Sequence, residues 1–216
     1  MQPGTSPLPA HAVPLVFRLG NPGSMLDLEV RVQSEVALMA LMRDALSSLD
    51  TQLVPAVYAW NDDDKNRGWI LTEFMPGVSP VGTISELPPD GQRKLVGDMA
   101  QIVKAIQDYE LPVTARGFGG LRFDADGHIV IGATPIAGGG PCDTLRQLYF
   151  EYFQTQLDFA DGCDIVQGWT DTDLRARLDE FAAQALQPLL ESLPLDGARP
   201  TLVHADFGKI NPLPPR

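Results

Sequence analysis

Three residues near the end of the chain have side chains that could act on one reacting centre: His204, Asp206 and Asn211, in the run TLVHADFGKIN. Their spacing is H-x-D-x-x-x-x-N, directly after an apolar, β-type approach. A carboxylate and an amide on one short loop suit phosphoryl transfer. The Asp can accept or orient the proton of an attacking hydroxyl, and the Asn oxygen can hold a magnesium ion that bridges phosphates. Without that chemistry the same residues are a strand-end histidine, a turn-forming Asp and a loop Asn before Pro212.

Such a loop must be held in place, and the preceding sequence supplies the elements. VPLVFRL (13–19) is β-rich and stops at Gly20-Asn21-Pro22-Gly23. Leu28, Val32, Val36, Met39, Met42, Leu46 and Leu49 then advance by threes and fours, which predicts an amphipathic helix from Asp27 to about Leu49. VPAVYAW (54–60) and GWILTEF (68–74), separated by a charged, turn-like N-D-D-D-K-N-R, predict paired antiparallel strands.

Past Gly77 helical patterns take over. One stripe is Leu95, Met99, Ile102, Ile106 and Tyr109; a second is Leu145, Leu148, Tyr152 and Phe159. A third runs through Leu174, Leu178, Phe181, Ala185, Leu189 and Leu193, where Pro188 is expected to kink or end the helix. GLRFDADGHIVIG (120–132) reads as a hairpin around Asp126-Gly127, because D-G favours the positive φ of a tight turn. The first dozen residues, rich in Pro and small polar types, are expected to be a disordered lead.

The formal net charge of -12 over 216 residues argues against nucleic-acid and anionic-membrane partners, since both require a surplus of Lys and Arg. A cationic ligand suits this surface better. The start has no basic region followed by an apolar run, and no segment approaches the ~18 apolar residues of a membrane span, so a soluble, cytoplasmic protein is expected. Cys142 and Cys163 lack a C-x-x-C spacing, and neither a disulfide framework nor a zinc site is expected.

The run LVHADFGKIN resembles the L-x-H-G-D-x-x-x-x-N catalytic loop of aminoglycoside phosphotransferases, choline kinases and related small-molecule kinases, with Ala205 in place of the usual Gly. Those proteins share the protein-kinase fold. The resemblance implies an α+β, protein-kinase-like two-lobe fold: a small antiparallel-sheet lobe with one helix, and a larger, mainly helical lobe. It implies Asp206 as catalytic base, His204 as support for the loop and Asn211 as a magnesium ligand. Arg18 stands in the place of the phosphate-contacting Lys and Glu35 in that of its ion-pair partner. Glu73, Phe74 and Met75 stand where the hinge offers backbone groups to adenine.

The cofactors implied are ATP and Mg2+, and the partner is a small-molecule acceptor, cationic if Asp143, Asp158 or Asp161 contacts it. On this reading residues 1–12 are the lead, 13–77 a partial small lobe, 78–211 a partial large lobe and 212–216 a tail. The family pattern places a phosphate-covering G-x-G-x-x-G loop before the first strand and a metal-binding Asp after Asn211. This sequence holds neither, so the fold is expected to be incomplete at both ends and its activity impaired. The alternative reading is a non-catalytic pseudokinase that binds nucleotide or a partner protein.

Overall fold

The computed structural model describes residues 1–21, 27–49, 52–63, 67–77, 84–135, 138–165, 169, 172–195 and 197–203. Strands β1 (Leu15–Leu19), β2 (Val57–Asn61) and β3 (Trp69–Glu73) form an antiparallel sheet in the order β1-β3-β2. Side chains alternate across a strand, so register decides which ones face the core. Thr72 lies opposite both Val16 and Val57, and Ile70 opposite both Arg18 and Trp60. Val57, Trp60, Ile70 and Thr72 are all buried.

They are buried in the same core as helix α1 (Leu28–Ala45), whose start is fixed by Asp27: its carboxylate accepts the Val30 N–H at 3.1 Å. Val32, Val36, Ala37, Leu41 and Met42 make its buried stripe. Val36 is fully buried, worth about 2 kcal/mol relative to leaving it exposed.

The hairpin of β4 (Gly120–Phe123) and β5 (Ile129–Gly132) packs along α1 and adds Leu121 and Phe123 to the same core. It is bonded there as well as packed. The Leu121 N–H donates to Ser34 Oγ at 3.2 Å and the Phe123 N–H to Gln33 Oε1 at 3.3 Å. Helix α2 (Pro89–Asp108) contributes Ile102 and Ile106. One hydrophobic cluster therefore joins sheet, α1, hairpin and α2. Helix α3 (Leu145–Asp161) begins at Thr144, whose hydroxyl accepts from the Gln147 N–H, and α4 (Leu174–Phe181) and α5 (Gln187–Ser192) follow. The architecture is thus α+β and kinase-like, a small antiparallel sheet with one long helix followed by a mainly helical part. Among the described residues no helix is long and apolar enough to cross a membrane.

The structure departs from the sequence expectations in four places. Residues 2–6 of the expected disordered lead are docked on β2, α1 and the hairpin. On α3 the buried residues are Leu148 and Leu157, while Phe159 is 46% exposed. Pro188 does not end its helix: the five residues Ala182–Leu186 open into a π-type turn and α5 starts with the proline in its first turn. That turn inserts an extra residue, the usual accommodation for a lost i−4 hydrogen bond. Ala182 and Leu190 are buried, while Leu174 and Phe181 before that turn and Leu189 and Leu193 after it are exposed. Finally, Thr201, Leu202 and Val203 belong to no strand.

Candidate active site

Arg18 sits on the face of β1 that also carries Val16, the face turned toward α1. Its guanidinium donates from Nη1 to Glu35 Oε1. Glu35 lies beside the buried stripe of α1, one residue before Val36, and one turn after Arg31, whose Nη2 is 3.8 Å from Glu35 Oε2. One carboxylate thus lies between two guanidinium groups. The Arg18 side chain stays 45% exposed and that of Glu35 25%, so the pair is open to solvent on one side. An Arg carries five N–H donors, and one bond to Glu35 leaves the others for a ligand anion.

At the end of β3 the three expected hinge residues differ from one another. The Glu73 carboxylate accepts from Gln52 Nε2 at 2.6 Å and from the Ala56 N–H at 3.1 Å, and the Glu73 N–H donates to the Ala56 carbonyl at 2.8 Å. The Phe74 N–H donates to the Pro14 carbonyl at 3.3 Å, prolonging the β1–β3 ladder by one step. Two of the three amides are therefore committed within the fold. That of Met75 has no backbone partner among the described residues. Sequence reasoning missed Gln52, which ties the α1–β2 connection to this corner. Nothing in its type or spacing marked it.

The approach to the loop of His204, Asp206 and Asn211 is anchored. Leu202 is buried in the core that α1 shares, and Thr201 Oγ1 and Arg199 Nη2 both donate to the Gln107 carbonyl in the last turn of α2, at 3.1 and 2.8 Å. His204, Asp206 and Asn211 themselves lie outside the described residues. Of the acidic side chains considered for a cationic acceptor, Asp143 and Asp158 are exposed. Asp161 is already neutralised by Arg175, which donates from Nε at 2.8 Å and also pairs with Asp179.

Two further acidic groups are accounted for by local structure. Asp124 closes the β4–β5 turn: its carboxylate accepts the His128 N–H at 2.8 Å and the Asp126 N–H at 3.0 Å, and this holds it below the usual carboxylate range. The same turn explains why Asp124, Asp126 and His128 lie together.

Glu151 on α3 accepts the Gly140 N–H at 2.9 Å and Gln147 Nε2 at 3.0 Å, and the Gly140 bond and the Cys142 thiol lower its pKa. Burial, then the hydrogen bond to Glu151, pushes the Cys142 thiol up to about 12. Both cysteines are free, Cys142 buried and Cys163 partly exposed. Only a thiolate is nucleophilic, so at about pH 8 an alkylating reagent labels Cys163 in the folded chain and reaches Cys142 only after denaturation. Mass spectrometry of the labelled peptides measures this; equal labelling of both in the native protein would contradict the packing at Cys142. Folding favours the neutral thiol, so this contribution to stability is intact below pH 9.0 and is lost as pH rises toward 12.

An α1-like helix whose acid meets a strand-borne cation, beside a three-stranded antiparallel sheet in the order β1-β3-β2, is the arrangement of a kinase-like small lobe. The chain belongs to the phosphotransferase enzyme family, whose model matches residues 9–211. No curated protein and no solved structure matches the chain.

Proposed function

We propose that this chain binds a nucleoside triphosphate with magnesium and transfers its terminal phosphoryl group to a hydroxyl of a small molecule. The observation that carries the reading is the Arg18–Glu35 pair. A carboxylate holds the guanidinium on the core face of the sheet while nearly half of the Arg18 side chain stays accessible, which fits it to a phosphate oxygen. The Met75 N–H fits an adenine edge.

In the reaction the acceptor oxygen forms a bond to the terminal phosphorus as the bond to the bridging oxygen breaks. The nucleoside diphosphate leaves with that electron pair, and the hydroxyl proton goes to Asp206. Magnesium, when bound, neutralises charge on the phosphates, and Asn211 is the residue in this sequence placed to hold it. Arg18 orients the phosphate, and Glu35 orients Arg18. The acidic surface favours a cationic acceptor, with Asp143 and Asp158 as the free carboxylates. A cytoplasmic location, where ATP is plentiful and thiols stay reduced, suits both the donor and the free cysteines.

The test is transfer of labelled phosphate from ATP to a panel of aminoglycosides, choline and homoserine. The expected result is magnesium-dependent labelling of at least one acceptor. ATP binding with no transfer to any hydroxyl compound would overturn the catalytic reading in favour of a nucleotide-binding protein.

A further inference from the structure

The residues expected to be a disordered lead make the most unexpected contacts in the molecule. Gln2-Pro3-Gly4-Thr5 is a tight turn: the Thr5 N–H and hydroxyl both donate to the Gln2 carbonyl, at 3.3 and 2.6 Å, and Gly4 has φ +71°. Pro followed by a glycine at positive φ is the signature of a type II turn. The turn is inserted among three elements. The Gln2 side-chain amide pairs with the backbone of Trp60 as a neighbouring strand would, giving Nε2 to its carbonyl at 2.8 Å and accepting its N–H at 3.2 Å. The Ser6 N–H donates to the Val57 carbonyl at 2.7 Å, so the free edge of β2 is covered.

The tip of the turn faces α1 and the hairpin. A Cβ on Gly4 would lie 2.8 Å from Val36 Cγ1 and 2.8 Å from Phe123 Cζ, so the backbone fits there only because glycine has no side chain. The Ser6 hydroxyl accepts from Arg43 Nη1 at 3.2 Å, two turns further along α1. Trp60 is 8% exposed and stacks on Phe123 at 5.8 Å, and its indole N–H donates to the Pro3 carbonyl at 2.9 Å. A buried indole donor needs a partner, and residues 2–6 supply it.

We propose that residues 2–6 are a strap that locks α1 against β2 and the β4–β5 hairpin, and that its docking fixes the segment of α1 bearing Glu35. Val36, which the strap covers, is the immediate neighbour of Glu35. Docking and undocking of the strap therefore act on the Arg18–Glu35 pair without touching either residue. A segment held by a handful of bonds at an edge opens more readily than the core beneath it, so the strap is a place where the small lobe can be loosened.

The test is amide hydrogen exchange on the full chain and on Gly4→Ala and Gln2→Ala. Gly4→Ala forces a Cβ into Val36 and Phe123 at a positive φ, while Gln2→Ala removes two bonds and adds no bulk. The expected result is exchange about tenfold faster at Trp60 and in α1 from Val36 to Met42, with the β1–β3 ladder at Val16 and Thr72 unchanged. Wild-type rates at Trp60 and along α1 in both variants would overturn the strap. Should Gly4→Ala unfold the chain, with every amide exchanging fast, Gln2→Ala decides between the same two outcomes. Exchange rates report on the strap whether or not the chain binds nucleotide, so failure here is separable from failure of the proposed function.

Discussion

Asp206→Asn lowers phosphoryl transfer by about 10²- to 10⁴-fold at unchanged ATP affinity, the range expected when a positioned general base is lost. The amide is nearly isosteric with the carboxylate but cannot take the hydroxyl proton, so the loss falls on kcat and leaves nucleotide binding alone. Steady-state kinetics with a responsive acceptor measure it, alongside ATP titration of the same variant. Turnover equal to wild type would remove Asp206 from the reaction. A loss confined to KM would make it a binding residue.

The second large effect is at Arg18. Arg18→Ala removes the donor proposed to hold phosphate and leaves Glu35 with Arg31 as its nearest cation, 3.8 Å away. A fall of about 10²-fold in kcat/KM is expected, the scale on which a single donor stabilises developing charge. Stability should hardly move. The Arg18 side chain is 45% exposed, and a half-exposed ion pair contributes no more than about 1 kcal/mol after solvent screening. The two readouts separate a role in ligand binding from a role in the fold. Arg18→Lys keeps the charge but loses the fork of donors and should recover part of the activity. A melting temperature lowered in proportion to the activity would mean that the pair is structural.

Much of this arrangement is legible in the sequence because it is set by local patterns. The stripe through Val32, Val36 and Met42 fixes α1, Asp27 fixes its start, and Asp126-Gly127 fixes the hairpin. The resemblance to small-molecule kinases pairs Arg18 on β1 with Glu35 on α1, and the structure brings them together.

What was not legible depends on surfaces made from distant segments. The lead has the composition of a chain with no core of its own, yet Gly4 is packed closely against Val36 and Phe123 and Gln2 is held by Trp60. Pro3-Gly4 is turn chemistry, but composition placed it in a disordered lead. Periodicity also failed along this last helical stretch, where Leu174 and Phe181 are exposed before the widened turn and Leu189 and Leu193 after it. At the hinge, sequence marked Glu73, Phe74 and Met75 alike. The structure separates them, since Phe74 bonds to Pro14 and Glu73 to Ala56 while the Met75 N–H has no backbone partner among the described residues. The loop of Asp206 and Asn211 is read from its spacing alone, since those residues lie outside the described part of the structure.

Thermal unfolding with ATP and magnesium shows whether the Arg18–Glu35 pair marks a nucleotide site. At a concentration about 100 times Kd the complex gains about 2.7 kcal/mol, which for a chain of this size raises Tm by roughly 5–11 °C. That rise is expected in the wild-type protein, with a much smaller one without magnesium and one of no more than about 2 °C in Arg18→Ala at the same concentration. No rise in the wild type at millimolar ATP with magnesium, or an equal rise in Arg18→Ala, would contradict it.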